Sequence, residues 1–411
     1  MKCRHCQQLL TIPFADLGEM PPSNAYPHSR EQCASERAYP LRVWVCNNCW
    51  LVQTEDFNRA EELFTADYAY FSSTSTTWVA HALRFTEAAI AQLKLNENSF
   101  VIELAANDGY LLQHFVRSDI PCLGVEPTSA TADAARKKGI AIVEDFFGKR
   151  LANNIASDYG KADLIIANNV LAHVPDINDF VEGMAQLLKP DGVCSLEFPH
   201  LLNLIQQRQF DTIYHEHYSY LSLHSVQRIL RAAGLVVYKV EKLPTHGGSL
   251  RVWARLSVAA NAAQLVVDAS VENILAEEVL RDMTSVKGYA DFQSIITDVV
   301  DRFVAFLQQA HADNKVVVAY GAAAKGNTFL NYAHIGTGLI SAVFDAAASK
   351  QGKFLPGSHI PILSPAQMAE YNPDYVVILP WNLREEIAAQ LKPQVKSGCK
   401  FVTAIPELLI N

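Results

Sequence analysis

Half of the 411 residues are hydrophobic, yet no apolar run is long enough to cross a bilayer. That absence argues for a soluble protein with ample material for buried cores. A basic excess is missing as well: 34 Lys and Arg stand against 43 Asp and Glu, a formal net charge of −9. Phosphate-backbone binding draws its affinity from clustered Lys and Arg, so a nucleic-acid partner is not expected. No apolar leader precedes the opening Met-Lys-Cys, and Cys33, Cys122, Cys194 and Cys399 are scattered through ordinary contexts. Unpaired thiols suit a reducing cytoplasm, which is the expected location. The chain is too long for one core, and two or three domains are expected.

What is present begins with two Cys-x-x-Cys pairs, Cys3/Cys6 and Cys46/Cys49. Each such pair forms a knuckle that presents two sulfurs, and two knuckles supply the four thiolates of a tetrahedral Zn²⁺ site. Disulfides or a redox pair are the competing readings, and the reducing context disfavours both. A Cys₄ site is closed, so the metal is expected to hold the fold and take no part in chemistry. The long insertion between the pairs reads as a small β-rich lobe, with Tyr39-Pro-Leu-Arg-Val-Trp-Val-Cys46 as a strand feeding the second knuckle.

Beyond this head, a helix-period segment runs from about Thr77 to Leu95. From Ser99 to about Arg255 short apolar strands alternate with helices, which predicts a parallel sheet covered on both faces. Residues 271–311 read as mostly helical, and a second alternating unit starts at Lys315. The expected fold class is therefore α/β: a zinc-binding domain (1–60), a Rossmann-like domain (61–257), a helical connector (258–312) and a second Rossmann-like domain (313–411).

The first Rossmann unit is the more legible. A strand ends in Glu103, a small-residue turn runs to Gly109, and the next strand ends in Glu126, a spacing that suits an adenosine ligand across strand ends. The dinucleotide fingerprint needs three glycines so that a pyrophosphate can touch backbone. This turn has one glycine and two acids, Glu103 and Asp108, which repel a pyrophosphate but tolerate the sulfonium and ammonium of S-adenosylmethionine. An ordinary Rossmann turn with no ligand is the bland alternative. Asp145 and Phe146, after the third strand, supply an adenine contact or simply pack a loop on the core.

A third feature is Tyr214-His-Glu-His217-Tyr-Ser-Tyr220, with three proton-transfer side-chain types in five residues. Histidines two apart do not share one helical face, so a zinc-protease motif is excluded. A buried hydrogen-bonded cluster without catalysis is the alternative. His173, in Asn168-Asn-Val-Leu-Ala-His173, follows the fourth strand and so falls at the cofactor edge of the sheet.

Taken in order, these pieces form a pattern: the Cys pairs, Tyr68-Ala-Tyr70-Phe-Ser72-Ser73, Glu103-Leu-Ala-Ala-Asn107-Asp108-Gly109 and Gly-Val-Glu126-Pro127. Asn168-Asn169 with His173, Tyr214-His-Glu216-His217, His246-Gly247-Gly-Ser-Leu-Arg251 and Tyr320-Gly321-Ala-Ala-Ala-Lys325-Gly326 complete it. Nearly the whole chain thereby resembles the S-adenosylmethionine-dependent sugar C-3′ methyltransferases, which act on nucleotide-linked sugars. The family turn usually reads Glu-Ile-Gly-Ser-Asn-Asp-Gly, and Ala105 places a β-carbon where the family leaves bare backbone beside the cofactor.

The resemblance implies a nucleotide-linked 4-keto-deoxyhexose, dTDP-linked in most of the family, methylated at C3 through an enolate by a monomeric enzyme. His217 would be the base, because a neutral imidazole accepts a proton near pH 7. Glu216 would orient it or act as the alternative base, and Tyr214 and His173 would donate hydrogen bonds to the C4 oxygen. Tyr68 or Tyr70 would close over the reacting methyl. Ser72, Ala105, Asn107, Pro127, Asn168 and Asn169 would join Glu103, Asp108, Gly109, Glu126, Asp145 and Phe146 around the cofactor. For the sugar nucleotide, Tyr320, Gly321, Lys325, Gly326 and Asn327 form a candidate diphosphate cradle at a helix N-terminus. Asp345, Lys350, Trp381, Asn382, His246 and Gly247 frame the rest, and Arg251 either contacts phosphate or pairs with an acid.

Two other function classes are weighed. A zinc-headed RNA methyltransferase should carry basic stripes and an Asn-Pro-Pro-aromatic signature, where this chain has Glu197-Phe-Pro-His200. A catalytically silent sugar-nucleotide scaffold would have no use for the Tyr214, Glu216 and His217 cluster.

Overall fold

A computed structural model describes residues 1–57, 71–258 and 266–411. The head contributes β1 (Ile12–Met20), β2 (Tyr39–Val45) and β3 (Val52–Thr54), all antiparallel. The middle of the chain supplies β4 (Val101–Leu104), β5 (Cys122–Val125), β6 (Ala141–Val143), β7 (Ala162–Asn168) and β8 (Leu188–Pro199). It continues with β9 (Ser219–Tyr220), β10 (Leu235–Leu243) and β11 (Ser249–Leu256). The last part holds β12 (Val317–Tyr320), β13 (Val343–Phe344), β14 (Ile362–Leu363), β15 (Tyr375–Ile378), β16 (Lys400–Thr403) and β17 (Leu409–Ile410).

The seven-stranded sheet has the order β10-β11-β8-β7-β4-β5-β6, with β4 to β8 parallel and β11 antiparallel. Every residue of β4 is buried, as expected of a parallel strand covered on both faces. The chain moves outward from β4 in both directions, so a switch point opens between β4 and β7. The six-stranded sheet, β14-β13-β12-β15-β16-β17, repeats this arrangement with β12 at its own switch point. Both Rossmann-like units anticipated from the sequence are present.

β9 belongs to neither unit. It lies two residues after His217 and pairs with β3, giving the head a fourth strand, in the order β1-β2-β3-β9. The helical stretch divides its allegiance. Helix Ala269–Leu280 buries Val271 and Ile274 in the core of the seven-stranded sheet. Helix Phe292–Ala312 lies in a core shared by the head and the six-stranded sheet, with Phe292 stacked on Phe14 at 4.3 Å. Among the described residues, no helix is long and apolar enough to cross a membrane.

Candidate active site

The four head cysteines converge. Their sulfurs all lie within 4.8 Å of one another, with Cys3–Cys49 and Cys6–Cys46 at 3.5 Å. A tetrahedron of Zn–S bonds near 2.3 Å requires sulfurs about 3.8 Å apart, so the set fits Zn²⁺ without rearrangement. Three of the four are buried, and the site is closed.

The turn after β4 is wound by three left-handed residues, Ala105 (φ +55°), Asn107 (φ +49°) and Gly109 (φ +73°). Asn107 N–H donates to Glu126 Oε2 at 2.9 Å, and Thr128 occupies Oε1 through its amide and hydroxyl. Glu126, read from the sequence as a ribose ligand, also braces the turn, and its Oε2 keeps a second acceptor position. Ser72 N–H donates to Asn107 Oδ1, Ser73 caps Asp108, and Lys138 binds the Asp108 carbonyl at 2.6 Å. Burial, reinforced by Asp108 and Glu126, raises the Glu103 carboxyl well above the usual range. Glu103 Oε2, Asn168 Oδ1 and the side-chain amide of Asn169 are buried without a protein partner. Such atoms at adjacent strand ends are the features a polar cofactor satisfies, so the residues fit S-adenosylmethionine. Asp145 pairs with Arg150, and Phe146 is exposed at the rim after β6. Pro127 begins the loop after β5.

Across the switch point the catalytic candidates assemble. His217 Nδ1–H donates to the Thr212 carbonyl at 2.7 Å, which fixes the tautomer and leaves Nε2 as an acceptor. The Tyr214 hydroxyl lies 2.8 Å from Nε2 and donates to it. His173 meets His217 edge-on, with centroids 4.6 Å apart, and its ring hydrogen-bonds the Glu216 backbone. Burial, then the His173 imidazole, holds His217 well below the ordinary value, with Lys325 and His246 adding to the effect. Burial likewise takes His173 and His246 down to about 4. His217 is therefore a neutral imidazole at pH 7. Its orientation comes from Thr212, whereas the Glu216 carboxylate accepts from Asn24 of the head at 2.7 Å. Tyr68 and Tyr70 lie outside the described residues.

The second unit closes the site from the opposite side. Gly247, at φ +83°, must be glycine: a β-carbon would lie 2.5 Å from the Trp381 ring. The His246-Gly247 turn and Trp381 are thereby pressed together. Asp345 accepts from Ala322 N–H at 2.7 Å and Lys350 donates to the Ala322 carbonyl at 2.7 Å, so both brace the turn after β12. Asn327 donates to the Ser23 carbonyl, tying that turn to the head. Gly321 and Gly326 sit against Pro380 and Leu379, Tyr320 is buried at the end of β12, and Asn382 is exposed.

Three family models match the chain in tandem: a zinc binding domain over residues 3–64, a methyltransferase domain over 78–240 and a C-methyltransferase C-terminal domain over 244–406. The C-methyltransferase NovU of Streptomyces niveus is 32% identical over 406 residues, covering 99% of this chain and 96% of that protein. The chain belongs to the C-methyltransferase family. Its methyltransferase part is also similar to the ubiquinone biosynthesis O-methyltransferase of Actinobacillus pleuropneumoniae, 30% identical over 103 residues, 23% of this chain and 42% of that protein. Among solved structures, the magnesium protoporphyrin IX methyltransferase of Synechocystis PCC 6803 with bound SAH is 15% identical at a TM-score of 0.34, covering 43% of this chain and 82% of that one.

As a C-methyltransferase the protein uses S-adenosylmethionine and carries a zinc-binding head. Arg251, by contrast, takes the acid-paired reading: it contacts Glu197 at 2.9 Å and Glu241 at 3.3 Å and lies over Phe85. Glu197 also accepts from His81 and from the Thr245 hydroxyl, so this buried cluster shapes the turn that presents His246. Sequence reasoning missed Asn24, His81, Asp211 and Thr212. Only Asn24 had a local signal, since Pro21-Pro22-Ser23-Asn24-Ala25-Tyr26 is an unusual break in a β-rich lobe.

Proposed function

We propose that this C-methyltransferase acts at C3 of a nucleotide-linked 4-keto-deoxyhexose, with a thymidine diphosphate carrier, as a monomer in the cytoplasm. The observation that carries the reading is His217: a buried neutral imidazole whose Nδ1 is committed to Thr212, leaving Nε2 to take a proton. A methyl group goes to carbon only if that carbon becomes nucleophilic, and a ketone at C4 makes the C3 proton removable as an enolate. In this scheme the Tyr214 hydroxyl turns from His217 Nε2 to the oxygen that gains charge, which frees Nε2 to take the C3 proton, and His173, to steady the same oxygen, exchanges its bond to the Glu216 backbone for one to it. Glu103, Asn168 and Asn169, with their unmet polar atoms at the β4–β7 switch point, would hold S-adenosylmethionine, which when bound supplies an electrophilic methyl. The sugar nucleotide enters from the six-stranded side, where no side chain caps the N-terminus of helix Ala324–Tyr332. Motif resemblance supports the sugar class.

Incubation of a dTDP-4-keto-6-deoxyhexose in D₂O, read by mass spectrometry, tests it. Deuterium at C3 without cofactor and a methyl gain with it are expected. Neither signal with dTDP-, GDP- or CDP-linked keto-sugars would refute the reading.

A further inference from the structure

Asp211 and Lys325 are two opposite charges buried side by side without touching. Asp211 sits in the short turn Phe210–Thr212, one residue before the Thr212 carbonyl that orients His217. Lys325 opens helix Ala324–Tyr332 in the other half of the molecule. Trp381 holds both: its Nε1–H donates to Asp211 Oδ2 at 2.8 Å, and its ring face lies 4.9 Å below Lys325 Nζ. Asp211 Oδ1 and Lys325 Nζ are each buried with no hydrogen-bond partner. An ammonium has three donors, and leaving them all unmet out of water is costly. The field of Lys325 reaches Asp211, His217 and His246. Through Trp381 and Asp211 the unmet donors are tied to the turn whose Thr212 carbonyl orients His217.

A diphosphate is a poor match for this position. Its charge would face Asp211 as well as Lys325, and desolvating so much charge beside a buried carboxylate is unfavourable. One oxygen that turns negative during reaction is a better match, because the cation is already desolvated and fixed before that charge appears. Such stabilisation is also needed: a base held below ordinary imidazole strength cannot draw a proton from carbon unless the product anion is compensated.

We propose that Lys325 is a catalytic residue, its ammonium donating to the C4 ketone oxygen and carrying the charge of the enolate, with Asp211 and Trp381 positioning it. This rests on the substrate reading above. In the step itself the C3–H bond breaks and the proton passes to His217 Nε2. The bonding pair forms the C3–C4 double bond, and the carbonyl π pair moves onto the oxygen facing Lys325. Burial pushes the Lys325 amine down and the Asp211 carboxylate opposes that push, favouring the charged form.

Lys325→Met, checked by thermal melt, tests the assignment through three readouts: cofactor-free C3 deuterium exchange, kcat, and the affinity of dTDP alone. Exchange and kcat are expected to fall about 10²–10³-fold together, with dTDP affinity within about threefold of the parent. Retained exchange at saturating substrate with weakened dTDP binding would overturn the proposal and make Lys325 a diphosphate ligand. A parent enzyme that neither exchanges nor methylates overturns the substrate reading, and this assignment with it. Asp211→Asn gives a second route, should the first variant not fold. Loss of the carboxylate should move the alkaline limb of the kcat profile down by about one pH unit, and an unmoved limb would remove Asp211 from the positioning role.

Discussion

Replacing Ala105 by glycine should strengthen the protein, and the reason lies in a single dihedral. Ala105 stands at φ +55°, where an L-residue with a β-carbon pays about 1–2 kcal/mol. The backbone has little room to relax, because Ala106 N–H is bound to the Val125 carbonyl at 3.0 Å and Asn107 N–H to Glu126. Glycine removes the clash but frees the unfolded chain, which costs back about 0.4–1 kcal/mol. The net expectation for Ala105→Gly is a gain of about 0–1.6 kcal/mol, centred near ~0.8, visible as a higher urea midpoint at unchanged m-value. Ala105→Val should lose more than the parent alanine, since a β-branched residue is poorly accommodated at positive φ. Calorimetric titration with S-adenosylmethionine completes the test, with affinity equal to or tighter than the parent because the glycine lets the ligand approach bare backbone. A glycine variant of lower stability would show that the side chain does not strain this turn.

His217→Ala should lower turnover at least about a hundredfold while S-adenosylmethionine binding persists; near-normal rates would remove His217 from the base role. Cys46→Ser should reduce bound zinc and thermal stability together, and full metal content in that variant would exclude Cys46 as a ligand. Stability should also fall on acidification. His173 and His246 are held down to about 4 by burial, whereas an unfolded histidine titrates near ~6.5. The unfolded chain thus binds more protons below pH 6.5, and each residue should remove about 2 kcal/mol by pH 5. Denaturant unfolding at pH 8 and pH 5, with zinc content followed, measures the loss, and a flat profile would contradict the buried neutral assignment.

Features with a local signature were legible in the sequence. Paired cysteines announce a knuckle, and continuous apolar runs such as Leu164–Ala167 announce buried parallel strands. The His217 cluster was visible because its members are neighbours in the chain. What stayed hidden depends on partners far apart. Asn24 meets Glu216 across 192 positions, and Trp381 meets Asp211 across 170. Nothing in the spacing of Arg251 favours Glu197 and Glu241 over a phosphate, since a guanidinium suits either. Glu126 was placed at the right strand end, but the sequence could not show that it also braces the turn through the Asn107 and Thr128 amides.

The pairing of β3 with β9 has a consequence for how the protein is made. Residues 1–54 are synthesised before the two Rossmann-like units and hold all four clustered cysteines, so metal can be captured early. The outer edge of β3 then waits for Ser219 and Tyr220, more than 160 residues downstream. At roughly 5–20 residues per second that interval lasts about 10–30 s. During it, a strand with unsatisfied amides and carbonyls is open to pairing with other nascent chains. The same hydrogen bonds that later anchor the loop carrying His217 therefore also mark the period when aggregation competes with folding.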